Sequence, residues 1–539
     1  MSPNNNKGAF YVTTPIYYVN DKPHVGHAYT TIAADVLARF KRLDGYDVKF
    51  LTGTDEHGQK VAKAAADKGI EPQALCDANS QNFRDLAKTL GISNDDFIRT
   101  TEERHIKACQ ALWKRLEDNG SITLGKYAGW YAVRDEAFYD EGELTKGPNG
   151  EKLAPSGAPV EWVEEESYFF PLKEWQERLL KFYDENPDFI GPKSRFNEIY
   201  SFVKGGLQDI SISRTAFSWG VPVPGNPKHV MYVWIDALTN YITALGYPDE
   251  SGEMAKFWPE QNPVALHLVG KDIIRFHCVY WPAFLMAAKL PLPKRVFAHG
   301  WWTVEGQKMS KSLGNAIDPT ALVEKYGLDQ LRFFLMREIP FGNDGDFSEA
   351  AIAGRINSEL ANALGNLAQR VLSFIAKNGG GKIPVSHSTS DAAYLIADAD
   401  LIHKSHELLD HCREHIKRQT YGEVLEAIFE LVRAANAYVD IQAPWALKKT
   451  NPDRMETVLW TLLETIRHIA IIIQPFTPSA AEKLLDQLAV PSHERTFFYI
   501  EDPKEFASPH QLKSGTTLPT PTGVFPRYGD PKAAAGKGA

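Results

Sequence analysis

Residues 9–40 read AFYVTTPIYYVNDKPHVGHAYTTIAADVLARF, and this stretch decides the fold. Its first part, Ala9 to Val19, is dense in β-branched and aromatic residues and reads as a strand. His24-Val25-Gly26-His27 follows. Then Ile32, Val36, Leu37 and Phe40 recur at the spacing of one helix face, with Gly45 just past the last turn. A strand feeding a helix through a short turn leaves backbone N–H groups and the positive helix end at that turn, which makes an anion site. Gly26 lets a bulky ligand approach the backbone. His24 and His27, three apart, can donate hydrogen bonds to phosphate oxygens. Taken alone, the pair also fits a metal site or two surface histidines.

Outward from this unit the strand–helix alternation continues. Val48 to Thr52 is a second strand, two helical stretches follow, Phe97 to Thr100 is a short strand, and a helix runs from Glu102 to Asn119. Strands separated by helices predict a parallel sheet covered on both faces. From Gly120 to Pro227 short aromatic strands, such as Tyr127 to Val133, alternate with turns at Gly147-Pro148-Asn149-Gly150 and Pro155-Ser156-Gly157. This reads as an inserted α+β domain. The alternation then resumes: a strand from His229 to Ile235 followed by a helix, a strand from Val264 to Val269, a helix from Asp272 to Lys289, and a strand from Val296 to His299. Beyond residue 350 the chain is helical. Ile352, Ile356, Leu360, Leu364, Leu367, Val371 and Ile375 form one buried stripe, and further helices are expected over 391–418, 422–441, 453–473 and 478–488. From Ser508 the chain is rich in Pro, Gly, Thr and Lys and reads as a poorly packed tail.

Composition sets the class. The 539 residues are 43% hydrophobic and 24% charged, which excludes a disordered chain or a disulfide miniprotein. The apolar runs at 469–473 and 282–288 are far shorter than the ~20 residues of a membrane span. The opening MSPNNNKGAFYV has no apolar signal core, so a cytoplasmic protein is expected. The net charge of −9 gives no bulk attraction for a polyanion but leaves room for a local basic patch. Cysteines 76, 109, 278 and 412 are too far apart for a zinc clip.

A second motif, Lys308-Met309-Ser310-Lys311-Ser312, lies in a polar loop between Gly306 and Gly314, ahead of a helix started by Asp318-Pro319. Two lysines in a hinged loop can close over a triphosphate and neutralise a leaving pyrophosphate. By itself the motif is equally a solvated basic turn. Asp55, in Thr54-Asp55-Glu56-His57-Gly58, ends the second strand, where open α/β sheets bind ligands. It can hold an ammonium group or cap the next helix. Trp234, Tyr241, His277 and Trp281 can surround a thioether, or simply fill a core.

Together, HVGH and the complete KMSKS resemble the paired signatures of the class I aminoacyl-tRNA synthetases, which read HIGH and KMSKS. Within that class, TTPIYYVN at 13–20, GTDEHG at 53–58, YVWIDAL at 232–238 and GKDIIRFH at 270–277 resemble the methionyl-tRNA synthetase family, over roughly residues 8–500. The resemblance implies a split Rossmann-like α/β sheet with an inserted α+β connective domain, followed by an all-α helical-bundle anticodon-binding domain. The implied course is 1–119 and 228–295 for the two halves of the catalytic domain, 120–227 for the insertion, 296–350 for the KMSKS linker, 351–507 for the bundle and 508–539 for the tail. It implies a methionine site of Ile16, Tyr18, Asp55, Trp234, Tyr241, Ile273, His277 and Trp281. ATP would meet His24, Gly26, His27, Gly300, Lys308, Lys311 and Ser312, with His24, His27, Lys308 and Lys311 acting on the phosphates. Asn366, Arg370 and Trp445 would read the anticodon of tRNA(Met), with Asn362 in the same polar stripe and Lys448-Lys449 nearby.

The implied reaction is ATP-dependent formation of methionyl-adenylate from L-methionine, then transfer to tRNA(Met). Mg²⁺ would accompany ATP. Two departures matter. Many relatives carry a zinc knuckle in the insertion, but Tyr131-Ala132-Val133-Arg134-Asp135-Glu136-Ala137-Phe138 holds no cysteine. No protein-bound zinc is therefore expected, and Trp130, Tyr131, Phe138 and Tyr139 are expected to hold the segment. The appended C-terminal domain by which some relatives dimerise is also missing, which points to a monomer. The rival readings are another class I synthetase and a catalytically silent tRNA-binding relative. The intact HVGH, Asp55 and KMSKS weigh against the second.

Overall fold

The computed structural model describes residues 6–19, 22–304, 306–309, 316–501 and 510–529. Pro15 breaks the first expected strand into Ala9–Thr13 and Tyr17–Tyr18. The helix that follows spans Val25–Leu43, and its predicted face of Ile32, Val36, Leu37 and Phe40 is buried. The chain divides into two compact units. One comprises Ala9–Ala34 and Val48–Trp301, the other Met1–Gly8, Asp35–Asp47 and Trp302–Ala539.

The first unit is built on a seven-stranded sheet. Its order runs Ile190–Gly191, Arg295–His299, Ala265–Gly270, Ala9–Thr13, Asp47–Asp55, and the last of these also pairs with both Tyr17–Tyr18 and Asp96–Arg99. The neighbouring registers, such as Val12 on Leu266 and Leu268 on Phe297, are parallel. The split Rossmann-like sheet is thus present, and the insertion lends its Ile190–Gly191 segment to one edge. The body of the insertion is a four-stranded antiparallel sheet whose long ladder joins Thr123–Ala132 to Glu161–Phe170. One apolar cluster runs from Tyr11, Leu51 and Ile98 through Phe170, Phe196 and Ile199 to Trp281 and Phe284, so sheet and insertion share a core.

Two expected elements differ. Only Val230–Met231 of the predicted strand at 229–235 is extended, and it pairs antiparallel with Ser213–Arg214 outside the main sheet. Val233 to Ile235 instead open the helix Val233–Thr243, every residue of which is buried. Val233-Trp234-Ile235 is an apolar run of β-favouring residues, too short to show the helical spacing that Asp236, Thr239, Asn240 and Thr243 carry further on. The helix expected from Asp272 is interrupted. A 3₁₀ turn at Lys271–Ile273 and a wide π turn at Phe276–Tyr280 precede the regular helix Trp281–Ala287.

The second unit contains the helical bundle. Ala392–Lys417, Tyr421–Gln442, Pro452–Ile473 and Pro478–Gln487 match the expected helices, and the predicted stripe from Ile352 to Ile375 is buried throughout. Arg332, fully buried, donates to Asp35 at 2.6 Å and to the Pro475 carbonyl at 2.8 Å, so its charge is paired and its donors are used. Residues 510–529 are not loose, contrary to the sequence expectation. Gly515, Thr516 and Leu518 exchange backbone hydrogen bonds with Gly381 and Ile383, and Phe525 is buried. Backbone pairing tied this proline-rich stretch down, and composition gave no sign of it.

Candidate active site

The turn at the start of the Val25–Leu43 helix is held by its own histidines. The Gly26 N–H donates to His24 Nδ1 and the His24 N–H to His27 Nδ1, both at 3.0 Å. Each neutral imidazole that accepts at Nδ1 carries its proton on Nε2, a donor of the kind a phosphate oxygen accepts. The helix has no acidic residue in its first turn, so no side chain of that turn offsets its positive end. The His27 ring meets Tyr17 and Phe83 edge-on, at centroid distances of 4.9 and 5.2 Å. Gly26 has a reason that the sequence did not show: a Cβ there would lie 2.8 Å from the His24 ring. Thr30 donates to His299 Nε2 at 2.7 Å and His299 Nδ1 to the Gly300 carbonyl at 2.8 Å. This ties Gly300 to the same helix. Sequence reasoning missed Thr30 and His299, although His299 adjoins a residue it named.

Tyr18 is the register partner of Asp55, so both side chains stand on one face of the sheet. Asp55 is 2% exposed and its Oδ1 has no partner among the described residues. Burial, then the nearby charges of Asp236, Glu136 and Glu56, push its carboxyl well above the usual carboxylate range. A carboxylate in that position gains from a cation. Beside it lies an aromatic wall. The Tyr241 hydroxyl donates to His277 Nε2 at 2.7 Å, and His277 Nδ1 donates to the Ile273 carbonyl at 3.0 Å. Burial pushes His277 down to about 4, so the ring is neutral at pH 7. Tyr241 lies 6.3 Å from Trp281, and Trp234 lies 6.2 Å from His277. Trp234 stacks on Phe276 at 3.7 Å. Ile16, Tyr18 and Ile273 pack against the same core, half-buried. His267 was not foreseen. It stacks on Tyr241 at 4.0 Å, accepts or donates one bond with Thr13, and keeps Nε2 without a partner among the described residues.

A buried polar frame holds this wall in place. Asp236 takes His57 Nδ1 on one oxygen and His105 Nε2 on the other, both at 2.7 Å. Burial alone would raise its carboxyl, but His57 and His105 hold it well below the usual range. Arg99 grips Glu56 through two bonds of 2.7 and 2.9 Å. The helix bearing Trp234 and Tyr241 is thereby locked to the loop bearing Asp55. Among the described residues His105, Cys109 and Asp236 form the one grouping with metal-ligand chemistry. Both Asp236 oxygens are occupied by histidines, and burial raises the Cys109 thiol, whereas a metal needs the thiolate. The grouping satisfies itself by hydrogen bonds.

In the insertion the cysteine-free segment is held by aromatic rings around a cation. Tyr131 and Phe138 lie 4.7 Å apart, and the Arg214 guanidinium sits 4.3 Å above Phe138 and 4.7 Å above Tyr232. Trp130 meets Trp162 at 5.2 Å, and Tyr139 packs on the Ala132, Ala154 and Ala158 cluster.

Gln307–Lys308 pairs antiparallel with Trp302–Val304 across a turn at Gly306, whose φ is +73°. Asp318 caps the next helix through the Thr320 N–H at 2.8 Å, as its sequence predicts. Ser310, Lys311 and Ser312, together with the Lys308 side chain, lie outside the described residues. On the bundle, Asn362 and Asn366 are exposed, and the Arg370 guanidinium lies 5.1 Å above the half-exposed Trp445 ring. Ala443, at φ +43°, makes the turn that presents Trp445, and Arg370 is paired with Asp440. Lys448 donates to Asn378 at 2.7 Å.

The chain matches the family model for tRNA synthetases class I (M) over residues 10–372, and the model for the anticodon binding domain of methionyl tRNA ligase over residues 389–535. A methionine–tRNA ligase of Rickettsia bellii is 57% identical over 522 residues, covering 96% of this chain and 99% of that protein. One of Mesorhizobium japonicum is 56% identical over 519 residues, covering 96% and 98%. Among solved structures, Mycobacterium tuberculosis methionyl-tRNA synthetase in complex with methionyl-adenylate is similar with a TM-score of 0.91 and 50% identity, over 96% of this chain and all of that one.

Proposed function

The chain belongs to the class I methionyl-tRNA synthetases, and from that premise we propose how its residues divide the work. The reaction has two steps. A methionine carboxylate oxygen attacks the α-phosphorus of ATP, the bond to the bridging oxygen breaks, and pyrophosphate leaves. A terminal ribose hydroxyl of tRNA(Met) then attacks the adenylate carbonyl and AMP leaves. Little covalent chemistry falls to side chains in either step, so positioning and charge stabilisation carry the rate.

Asp55 takes the methionine ammonium, and its buried, unpartnered Oδ1 is the observation that carries this reading. Ile16, Tyr18, Trp234, Tyr241, Ile273, His277 and Trp281 enclose the side chain. A thioether is polarizable and sits well against ring edges, which adds to what size alone gives against leucine. His24 and His27 donate from Nε2 to the phosphates beside Gly26 and Gly300. Lys308, Lys311 and Ser312 meet the departing pyrophosphate. Mg²⁺ travels with ATP, and no zinc is needed where Arg214 and its rings hold the insertion. A monomer acts in the cytoplasm. The test is ATP–pyrophosphate exchange with each of the twenty amino acids and no tRNA. Exchange driven by methionine supports this pocket, exchange with another amino acid overturns it, and no exchange points to a silent tRNA binder.

Two further outcomes are expected. Trp281→Ala raises the KM for methionine about 10- to 100-fold, because a fully buried ring leaves the pocket wall, while the KM for ATP moves far less. Steady-state exchange kinetics check it, and equal shifts in both constants would remove Trp281 from the pocket. In the bundle, Trp445→Ala lowers kcat/KM for tRNA about 10- to 100-fold through loss of base stacking, with pyrophosphate exchange unchanged. Charging assays with tRNA(Met) read this directly.

A further inference from the structure

Glu136 lies in the insertion, yet its side chain ends at the loop that carries Asp55. It is 1% exposed and has a left-handed backbone, φ 49°. Its Oε1 accepts the Lys60 N–H at 2.9 Å, in the first turn of the helix Gln59–Asp67. That helix has no cap from its own Gly58, so Glu136 supplies the missing acceptor from another part of the chain. Gly58 is left-handed at φ +103°, and a Cβ there would lie 2.6 Å from both Glu136 carboxylate oxygens. The glycine of the GTDEHG loop is therefore fitted to Glu136. The backbone of Glu136 is anchored too, as the Tyr232 hydroxyl donates to its carbonyl at 2.9 Å.

Three buried oxygens in this region have no partner among the described residues: Glu136 Oε2, Asp55 Oδ1 and the Tyr18 hydroxyl. Glu136 and Asp55 are the two charges that act most strongly on Tyr18, and the Lys60 ammonium lies 4.8 Å above the Tyr18 ring. We propose that Glu136 is a positioning residue for methionine activation: by capping Gln59–Asp67 it fixes the loop that carries Asp55, and its charge sets the field in which the substrate ammonium is held. The inference rests on the reading of Asp55 as the partner of that ammonium. It gives the insertion a part in the first chemical step, before any tRNA arrives.

Burial pushes the Glu136 carboxyl up to about 7, against the pull of the Lys60 N–H and of the Lys60 and Arg214 charges. The groups facing it are Lys60, Arg214, Tyr18, Asp55 and Tyr232. A bound ammonium favours the ionised form, so the KM for methionine in the wild type falls as pH rises from 6 to 8.

The test is ATP–pyrophosphate exchange at varied methionine over that pH range, with Glu136→Ala, Glu136→Gln and Asp55→Asn beside the wild type. Glu136→Ala removes the cap and the charge, and the KM for methionine rises about tenfold while that for ATP stays within about twofold. Glu136→Gln keeps an acceptor for the Lys60 N–H. It recovers most of the loss at pH 6 but shows a shallower pH dependence of that KM than the wild type, since only the Asp55 carboxyl is left to titrate. The inference is overturned if Glu136→Ala leaves the methionine KM unchanged or raises both constants equally, or if Glu136→Gln keeps the wild-type pH slope. If Asp55→Asn leaves the methionine KM unchanged, the ammonium reading itself fails, and this outcome is separate from any effect at Glu136.

Discussion

Replacing Asp55 with alanine lowers kcat/KM for methionine in ATP–pyrophosphate exchange by about a thousandfold, the scale of removing one member of a buried charge pair. The geometry sets both the size and the direction. Asp55 is 2% exposed, lies opposite Tyr18 in the parallel register, and has an oxygen that no described residue satisfies. The three charges that act most strongly on it are all negative, from Asp236, Glu136 and Glu56. Two of those are already occupied: Asp236 by two histidines and Glu56 by Arg99. Asp55 and Glu136 each keep one oxygen without a partner among the described residues, and of the two it is Asp55, at the end of its strand, that we assign to the incoming ammonium. A stability measurement separates this role from a folding role. Because burial and like charge raise its pKa, the folded state binds a proton at Asp55 more readily than the unfolded state does. Asp55 therefore costs stability once pH rises above its unfolded pKa. Asp55→Asn, which keeps the shape, should then unfold at the same temperature as the wild type or a higher one at pH 7, while exchange collapses. A variant that lost both together would mark Asp55 as a structural residue.

The parts of this site that were legible in the sequence are those whose signal is local. The apolar face of Ile32, Val36, Leu37 and Phe40, the Asp318-Pro319 cap and the stripe from Ile352 to Ile375 each follow from spacing within one element. What was not legible is pairing across the chain. Asp236 sits in a quoted motif, but nothing local says that it joins His57 to His105. Glu136 stands in a segment read only for its missing cysteines, and its partner is the backbone of Lys60. The π turn that carries His277 is too short to leave a trace in the spacing, whereas the wide turn at Ile356–Gly365 does leave one, because Ile352, Ile356, Leu360 and Leu364 step by four rather than by the roughly 3.6 of a regular helix. The segment at 229–235 reads as one strand because Val233-Trp234-Ile235 prolongs the apolar, β-favouring run, and the polar spacing of the helix begins only at Asp236. Gly26 has a second neighbour that the sequence did not show, as its missing Cβ makes room for the His24 ring.

That last contact leads to the second large effect, His24→Asn and His27→Asn, each of which lowers kcat in exchange by about a hundred- to a thousandfold with smaller changes in either KM. In the structure each ring does one task with Nδ1, accepting a backbone N–H of the turn, and that bond places the ring proton on Nε2. Asparagine carries an amide oxygen close to where Nδ1 sits, so it can accept the same backbone proton, but nothing in it reaches as far as Nε2. The turn and its helix therefore persist while the donor to the developing phosphate charge is lost. Glutamine gives the converse, because its amide reaches the Nε2 position and cannot take the place of Nδ1. His27→Gln should keep more activity than His27→Asn yet melt at a lower temperature. The opposite order, with asparagine active and glutamine inactive, would mean that these histidines serve only to cap the helix, and that the charge on the phosphates is met by the lysines of the KMSKS loop alone.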